Sequence, residues 1–130
     1  MADFHTLGDI QIPRGMVWSD EFDWSAREAS SEFSVSGALL LDVAVRLAGQ
    51  PITLTGDDDA GWIARAVLIA LHALCAAEPE ATHLLTLADG RTFDVQFAPG
   101  ESPITGHPIS RPELPAGTHP YVATVRLITV

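Results

Sequence analysis

Residues 61–77 read GWIARAVLIALHALCAA. The run is apolar almost throughout, is rich in Ala and Leu, and is too long for a typical strand, so it predicts one helix over about residues 60–77. Its polar positions Asp58, Arg65 and His72 recur every seven residues and form one narrow stripe. A surface helix normally has a much wider polar face. We therefore expect a largely buried helix, covered on most sides by a sheet or by a neighbouring subunit.

The triplet Asp57-Asp58-Asp59 precedes this helix, and Pro79 follows it. Acidic residues at a helix start accept hydrogen bonds from unpaired backbone N–H groups, and Pro cannot continue a helix. We therefore interpret the triplet as a helix cap and Pro79 as the stop signal. The alternative is a divalent-cation site, but the triplet lacks the alternating ligands and the closing Glu of an EF-hand loop.

Two β-hairpins are predicted, one on each side of the helix. After the helix, residues 83–98 flank Asp89-Gly90, the strongest short signal for a hairpin turn. Before the helix, residues 38–47 and 52–55 alternate apolar and polar side chains, with a turn at Gly49-Gln50-Pro51 between them. This pattern predicts that the two earlier strands pair with each other.

The remaining segments predict further strands, an arm and one long loop. Residues 17–24 alternate aromatic and polar side chains, which is typical of a half-buried strand. Residues 1–16 show little periodicity and predict an extended N-terminal arm or a weak first strand, whereas the β-branched residues 121–130 predict a terminal strand. Residues 99–120 contain six Pro and three Gly, which predicts a long loop without regular structure. The order of elements favours a single α+β domain, residues 1–130, with a mostly antiparallel sheet, a small barrel or a sandwich around the helix.

Composition limits the classes of partner. Seven Arg and no Lys stand against seventeen acidic residues, for a formal net charge of −10, so nucleic acid would be repelled. Charged residues make up 18 % of the chain, against about a quarter in typical soluble domains, which suggests apolar surface covered by a partner. The single Cys75 gives no disulfide framework, so we expect a cytoplasmic chain. Polar residues interrupt the N-terminal segment, and no apolar stretch approaches the roughly 20 residues of a membrane span, so we expect neither a standard export signal nor a membrane span.

Sequence motifs of an active site are absent. The five histidines form neither the i, i+4 pair nor the Cys/His cluster of zinc sites, although His107 and His119 lie in the same predicted loop. Cys75, in its Ala/Leu context, is typical of a small buried hydrophobe rather than of a nucleophile. The sequence contains no G-x-S-x-G elbow, P-loop or G-x-G-x-x-G fingerprint. We therefore predict a non-enzymatic protein that uses no metal or cofactor.

Aromatic residues and the long loop are the candidate contact surfaces. The aromatic side chains at positions 18, 22, 24 and 62 could line a ligand groove, although packing of a small sheet on its helix explains them better. Loops as long as 99–120 are usually functional or disordered, and Pro-rich segments dock onto other chains with little loss of entropy. The residues that we predict at an interface are Trp18, Trp24, Ile104, His107, Ile109, Arg111 and Leu114.

Four segments resemble small tail proteins of tailed bacteriophages. They are VWSDEF at 17–22, GQPITLTG at 49–56, GWI at 61–63 and LADGRTFDV at 87–95. The likeness is to the N-terminal, ring-forming domain of distal tail proteins, which sit where the tail tube meets the tail tip or baseplate. The resemblance implies a virion structural protein, assembled in the host cytoplasm, that forms a hexameric ring. It also implies contacts with tube, hub and tape-measure proteins, and no chemistry.

Two alternatives from other classes stay open at this point. The first is a small-ligand-binding or enzymatic domain that uses the aromatic residues and the loop histidines. The second is an acidic phage regulatory protein that binds a host protein, because an acidic surface can imitate nucleic acid.

Overall fold

The computed structural model describes residues 3–25, 27–45, 49–78, 80–99, 102–110 and 112–130. Within those residues the chain forms eleven strands and one helix. They are β1 (Phe4–Leu7), β2 (Ile10–Pro13), β3 (Val17–Trp18), β4 (Arg27–Phe33), β5 (Leu39–Val45), β6 (Pro51–Thr55), β7 (Ile63–Ala64), α1 (Arg65–Ala77), β8 (His83–Thr86), β9 (Thr92–Phe97), β10 (Ile104–Pro108) and β11 (Pro120–Thr129). Nine strands form one antiparallel sheet, and β4 and β5 form a second sheet. The expected α+β class with a mostly antiparallel sheet is confirmed.

The ten-residue strand β11 is the centre of the larger sheet. It pairs with β6 and β7 along one side and with β9 and β10 along the other. The strand order is β2-β1-β8-β9-β11-β6-β3. The end strands β2 and β3 do not pair with each other, so the sheet stays open and the small barrel among the predicted alternatives is wrong. A barrel closes only when its end strands pair along their length, and β3 has two residues.

Apolar side chains from α1 and from the larger sheet form one core. The helix lies against β2, β7, β10 and β11. Strand β6 alternates buried Ile52 and Leu54 with threonines, as expected for a strand with one face on the core. The largest fully buried side chains are Leu7, Ile12, Met16, Ile52, Leu54, Ile63, Leu71, Leu85, Val95, Ile104, Val125 and Leu127.

The helix begins at Arg65, later than predicted, because Ile63–Ala64 pair with β11 as strand β7. The cap interpretation of Asp57-Asp58-Asp59 is wrong, since the N-cap residue is Ala64 and no side chain caps the helix. Backbone carbonyls satisfy the first helical N–H groups instead: Arg65 donates to His119 at 3.1 Å, and Ala66 donates to Gly117 at 2.8 Å. Pro79, the predicted stop signal, lies outside the described residues.

The expectation of a largely buried helix is wrong for the single chain. Of the helical residues, Leu68 and Leu71 are buried, whereas Ile69 is 51 % exposed. The sheet covers one face of α1, and the other face presents Ile69, His72 and Ala73 outward. Cys75 is partly buried against the core, so the interpretation of its thiol as a hydrophobic group fits its position.

The Asp89-Gly90 hairpin is confirmed, and the other predicted hairpin is wrong. Strands β8 and β9 pair from His83 opposite Val95 to Thr86 opposite Thr92. Strand β5 pairs with β4, whereas β6 pairs with β11 and β3. Alternation predicts which face of a strand is buried, but it does not identify the strand that lies beside it. Residues 46–47, the end of the predicted strand, lie outside the described residues.

The strand predicted over 17–24 extends over Val17–Trp18 alone. The chain turns after Ser19, and the Asp23 N–H donates to the Asp20 carbonyl at 3.2 Å. The cause of the turn is Asp20. Its carboxylate accepts hydrogen bonds from the Thr53 N–H at 2.9 Å and from the Thr53 hydroxyl at 2.8 Å. The aromatic ring of Phe22 consequently stays 91 % exposed instead of entering the core.

Residues 3–16 and 99–120 contain more regular structure than their composition predicts. The expected N-terminal arm is the β1–β2 hairpin, whose two-residue turn has Gly8 at a φ of +58°. The expected loop contains strand β10, which pairs with β11 from Ile104 opposite Val125 to Pro108 opposite Tyr121. Proline is compatible with an edge strand, and β10 is such a strand, which explains why composition misleads here.

Candidate interaction surfaces

The structure separates the residues predicted at an interface. Ile104 is 2 % exposed and belongs to the core, so its prediction as a contact residue is wrong. Strand pairing with β11 turns its side chain inward. His107, Ile109 and Leu114 are exposed. Arg111 lies outside the described residues, and the remaining two predicted residues, both tryptophans, lie in the 17–24 segment.

Trp18 is half-buried and packs against the core. Its ring meets Phe93 edge to face, with centroids 5.6 Å apart, and the guanidinium of Arg91 lies 5.4 Å from the Trp18 ring centroid. Trp24 is half-buried as well. Phe22 and Trp62 are exposed, so core packing explains Trp18 but not the whole aromatic set.

Arg91 ties the Asp89-Gly90 turn to the segment that follows β3. Its guanidinium contacts the Glu21 carboxylate at 2.5 Å and the Asp89 carboxylate at 2.7 Å. The hydrogen bonds from Arg91 lower the pKa of Asp89 below its usual value. The same two carboxylates, Asp89 before Glu21, raise the pKa of Arg91. The hairpin signal in the sequence therefore also carries a charged contact with a segment about 70 residues away.

A pocket of about 280 Å³ lies beside this cluster and is lined by His5, Arg14, Val17, Trp18, Glu21, Leu87, Ala88, Asp89 and Arg91. His5 is buried, and its Nε2–H donates to the Met16 carbonyl at 2.9 Å while its Nδ1 accepts from the Ala88 N–H at 2.9 Å. This pattern requires the neutral tautomer with the proton on Nε2. Both ring nitrogens are occupied, so His5 fixes backbone segments and is not presented to a ligand.

The loop histidines do not join this pocket. His107 Nε2 lies 3.9 Å from Asp58 Oδ1, and His119 Nε2 lies 3.4 Å from Ser110 Oγ. Neither residue lines the pocket beside Trp18. A ligand site that combines the aromatic residues with the loop histidines would need a cavity that both line. The pocket beside Trp18 is not such a cavity.

The β4–β5 hairpin is the largest feature outside the main sheet. Its turn is closed by the Ser34 N–H, which donates to the Ala38 carbonyl at 2.8 Å, and by Gly37 at a φ of +87°. Phe33 and Leu39 stand directly opposite each other and are 75 % and 57 % exposed. Val35 at the tip is fully exposed. An apolar cross-strand pair of this kind normally faces a core or a partner.

Sequence reasoning missed Phe33, Val35 and Leu39 as surface residues. Leu39 belongs to the alternating segment 38–47, but apolar alternation predicts a buried face and does not say which chain buries it. The signal that could have found the hairpin is the set of turn-forming residues Ser34, Ser36 and Gly37 just before the alternating segment 38–47.

The described residues contain neither a candidate metal cluster nor a candidate membrane-spanning helix. Within them, no three His, Cys, Asp or Glu side chains come close enough to hold a metal ion. In the same part of the chain, no helix has the length and hydropathy that a membrane crossing requires. No protein-family model, no curated protein and no solved structure matches the chain.

Proposed function

We propose that the chain is a non-enzymatic structural subunit of a bacteriophage tail. It forms an oligomeric ring at the tail tip or baseplate and joins the tail tube to the hub. It is assembled in the host cytoplasm and resides in the virion tail. The observation that carries the proposal is the β4–β5 hairpin, which holds exposed apolar side chains outside the main sheet.

An isolated two-stranded hairpin is at best marginally stable in water. Burial of a Phe or Leu side chain contributes about 1.5–3 kcal/mol, so a partner that covers Phe33 and Leu39 stabilises the hairpin considerably. The exposed face of α1, with Ile69 at its centre, is a second apolar surface that a neighbour can cover. Both features are typical of a subunit in an assembly.

The segments that resemble distal tail proteins lie together in the fold. Segment 17–22 contacts segment 87–95 through the Arg91–Glu21 ion pair and the Trp18–Phe93 rings. It contacts segment 49–56 through the hydrogen bonds of Asp20 to Thr53. Segment 61–63 joins them through Gly61, which lies against Gly56.

Gly56 and Gly61 bring two of these segments into direct backbone contact. A Cβ atom added to Gly56 would lie 2.5 Å from the Gly61 carbonyl oxygen, and Gly61 also has a φ of +73°. Only glycine combines that conformation with so close an approach. The resembling residues therefore form one packed unit, and the ring contacts expected from the resemblance are with further copies and with tube, hub and tape-measure proteins.

The first test is the mass of the purified chain by light scattering across a concentration series, with negative-stain imaging of the peak. We expect a discrete oligomer that forms with rising concentration and appears as rings. Replacing Phe33 and Leu39 together by Ser removes the apolar pair and should raise the concentration needed for assembly at least about tenfold.

Leu84→Ser is the matched control, because Leu84 is 54 % exposed on β8 rather than on the hairpin. The control should assemble as the unmodified chain does. A strictly monomeric chain at the highest concentration reached would contradict self-assembly. An equal effect of the hairpin variant and of Leu84→Ser would contradict the role of the hairpin.

A further inference from the structure

Each strand of the β4–β5 hairpin has one edge without a paired strand in the described part of the chain. The turn fixes which backbone groups face that edge, because Ser34 and Ala38 are hydrogen-bonded to each other and the pattern alternates from there. The N–H and C=O groups of every second residue point outward. These residues are Arg27, Ala29, Ser31 and Phe33 on β4, and Leu39, Leu41, Val43 and Val45 on β5.

In the nine-stranded sheet, by contrast, several edge groups are missing or already bonded. At β2, Pro13 has no N–H group, and its carbonyl accepts a hydrogen bond from the Met16 N–H at 3.0 Å. At β6, the Thr53 N–H donates to Asp20, and the Thr53 carbonyl accepts from the Ser19 N–H at 2.9 Å. These arrangements remove edge groups that another chain would need.

The other outer strands are limited in similar ways. At β10, the Ile104 carbonyl accepts a hydrogen bond from the Ser102 hydroxyl at 2.9 Å, and Pro108 has no N–H group. Strands β3 and β7 have two residues each and are too short to align a partner strand. Among the described residues, long and regular open edges are therefore confined to β4 and β5, with seven residues each.

We propose that β4 of one copy pairs antiparallel with β5 of the next copy, so that the hairpins form one continuous sheet around the ring. This inference rests on the proposed function and names the contact that closes the ring. The partner is a second copy, because its own hairpin presents the matching seven-residue edge.

The register supports this contact. Directly opposite residues of an antiparallel pair share one face of the sheet. The outward-pointing positions of both strands belong to the same face, since Phe33 stands opposite Leu39 and Ser31 stands opposite Leu41. When two copies pair through these positions, the residues that share one face of the first hairpin continue on the same face of the second hairpin.

Head-to-tail pairing uses both open edges of the described hairpin, whereas two-fold pairing uses one of them. If β5 paired with β5 of a second copy, both β4 strands would keep a row of unpaired N–H and C=O groups. Repetition of the β4-to-β5 contact around a closed ring leaves no such row. The number of copies follows from the angle between neighbours and does not affect this argument.

Proline substitutions at outward-pointing positions test the contact. Ser31→Pro removes one outward N–H from β4, and Leu41→Pro removes one from β5, while the hydrogen bonds inside the hairpin remain. Ser31→Ala and Leu41→Ala are matched controls that keep the N–H groups. Sedimentation velocity at a concentration where the unmodified chain assembles gives the mass of each variant, and far-UV circular dichroism checks its fold.

We expect each proline variant alone to stay monomeric, with at least about a tenfold higher concentration needed for assembly, and both alanine controls to assemble. An equimolar mixture of the two proline variants should form a heterodimer, because each retains one intact edge. Self-association of Ser31→Pro alone, or a mixture that stays monomeric, would overturn head-to-tail pairing.

The two proposals fail in different ways. If the unmodified chain forms rings and both proline variants keep its mass, the strand contact is wrong while the ring subunit stands. If the unmodified chain is monomeric at every concentration, both the strand contact and the self-assembly of the proposed function are contradicted.

Discussion

At the scale of single residues, His5 connects three parts of the chain. Its ring nitrogens bind the Met16 carbonyl and the Ala88 N–H, so β1 is tied both to the segment before β3 and to the β8–β9 hairpin. Both backbone groups belong to buried residues. Buried backbone groups need partners, and the His5 ring supplies one for each of these two groups.

We predict that His5→Ala lowers the free energy of unfolding by about 2–4 kcal/mol, because two buried backbone groups lose their partner. Urea denaturation followed by tryptophan fluorescence measures the loss. His72→Ala is the matched control, since His72 is exposed on α1, and it should change stability by less than about 0.5 kcal/mol. A loss at His5 no larger than at His72 would show that the two hydrogen bonds contribute little.

Gly90 and Gly61 both have a positive φ, but for different structural reasons. Gly90 has a φ of +98° with nothing within 4 Å of an added Cβ, so its conformation is required by the hairpin turn alone. Gly61 combines a φ of +73° with close backbone contacts to Gly15 and Gly56. The first glycine is recognisable in the sequence from the Asp-Gly turn, whereas the second is explained only by contacts between distant segments.

At the scale of elements, Asp20 determines both where β3 ends and how β6 is protected. Its carboxylate accepts a hydrogen bond from the Thr53 hydroxyl and another from the Thr53 N–H, and this N–H is the group that a longer β3 would otherwise satisfy. The short strand β3 and the Asp20 side chain together cover the edge of β6. Because β3 has two residues, it does not itself present a new long edge.

We predict that Asp20→Ala destabilises the fold by about 1–3 kcal/mol, because the Thr53 N–H loses a charge-assisted hydrogen bond. Thermal unfolding followed by circular dichroism measures the change, and hydrogen exchange should show faster exchange at the Thr53 amide. Asp23→Ala is the matched control on an exposed neighbouring carboxylate. Unchanged protection at Thr53 would contradict the role given to Asp20.

Elements with a local sequence signal could be predicted, and elements set by distant pairing could not. The Asp89-Gly90 hairpin and the centre of α1 follow from residues that are neighbours in the chain. The start of α1 does not, because the carbonyls of Gly117 and His119, about 50 residues later, satisfy its first N–H groups. The pairing of β5 with β4 rather than with β6 is of the same kind.

The candidate surface shows the same division. Ile104 stands in a Pro-rich segment, where composition predicts exposure, yet pairing with β11 buries it. Phe33 and Leu39 stand in alternating segments, where the pattern predicts burial, yet the hairpin lies outside the main sheet. In both cases the side chain follows the position of its strand in the fold, which depends on contacts that no local pattern records.

At the scale of the whole molecule, net charge opposes the assembly that the apolar surfaces favour. Each copy carries a formal charge of −10, so copies in a ring repel one another. Salt screens such repulsion, with a Debye length of about 30 Å at 0.01 M and about 10 Å at 0.1 M. Backbone pairing between hairpins and burial of apolar side chains depend much less on salt.

We therefore predict that raising NaCl from about 10 mM to about 300 mM lowers the protein concentration at half-assembly severalfold. Light scattering at a series of salt concentrations measures this shift. A variant with Asp23→Asn, Asp59→Asn and Glu113→Gln changes three exposed carboxylates, for a formal charge of −10 + 3 = −7, and should depend less on salt. Assembly that weakens as salt rises would mean that ion pairs hold the copies together, in disagreement with a contact made by backbone groups and apolar side chains.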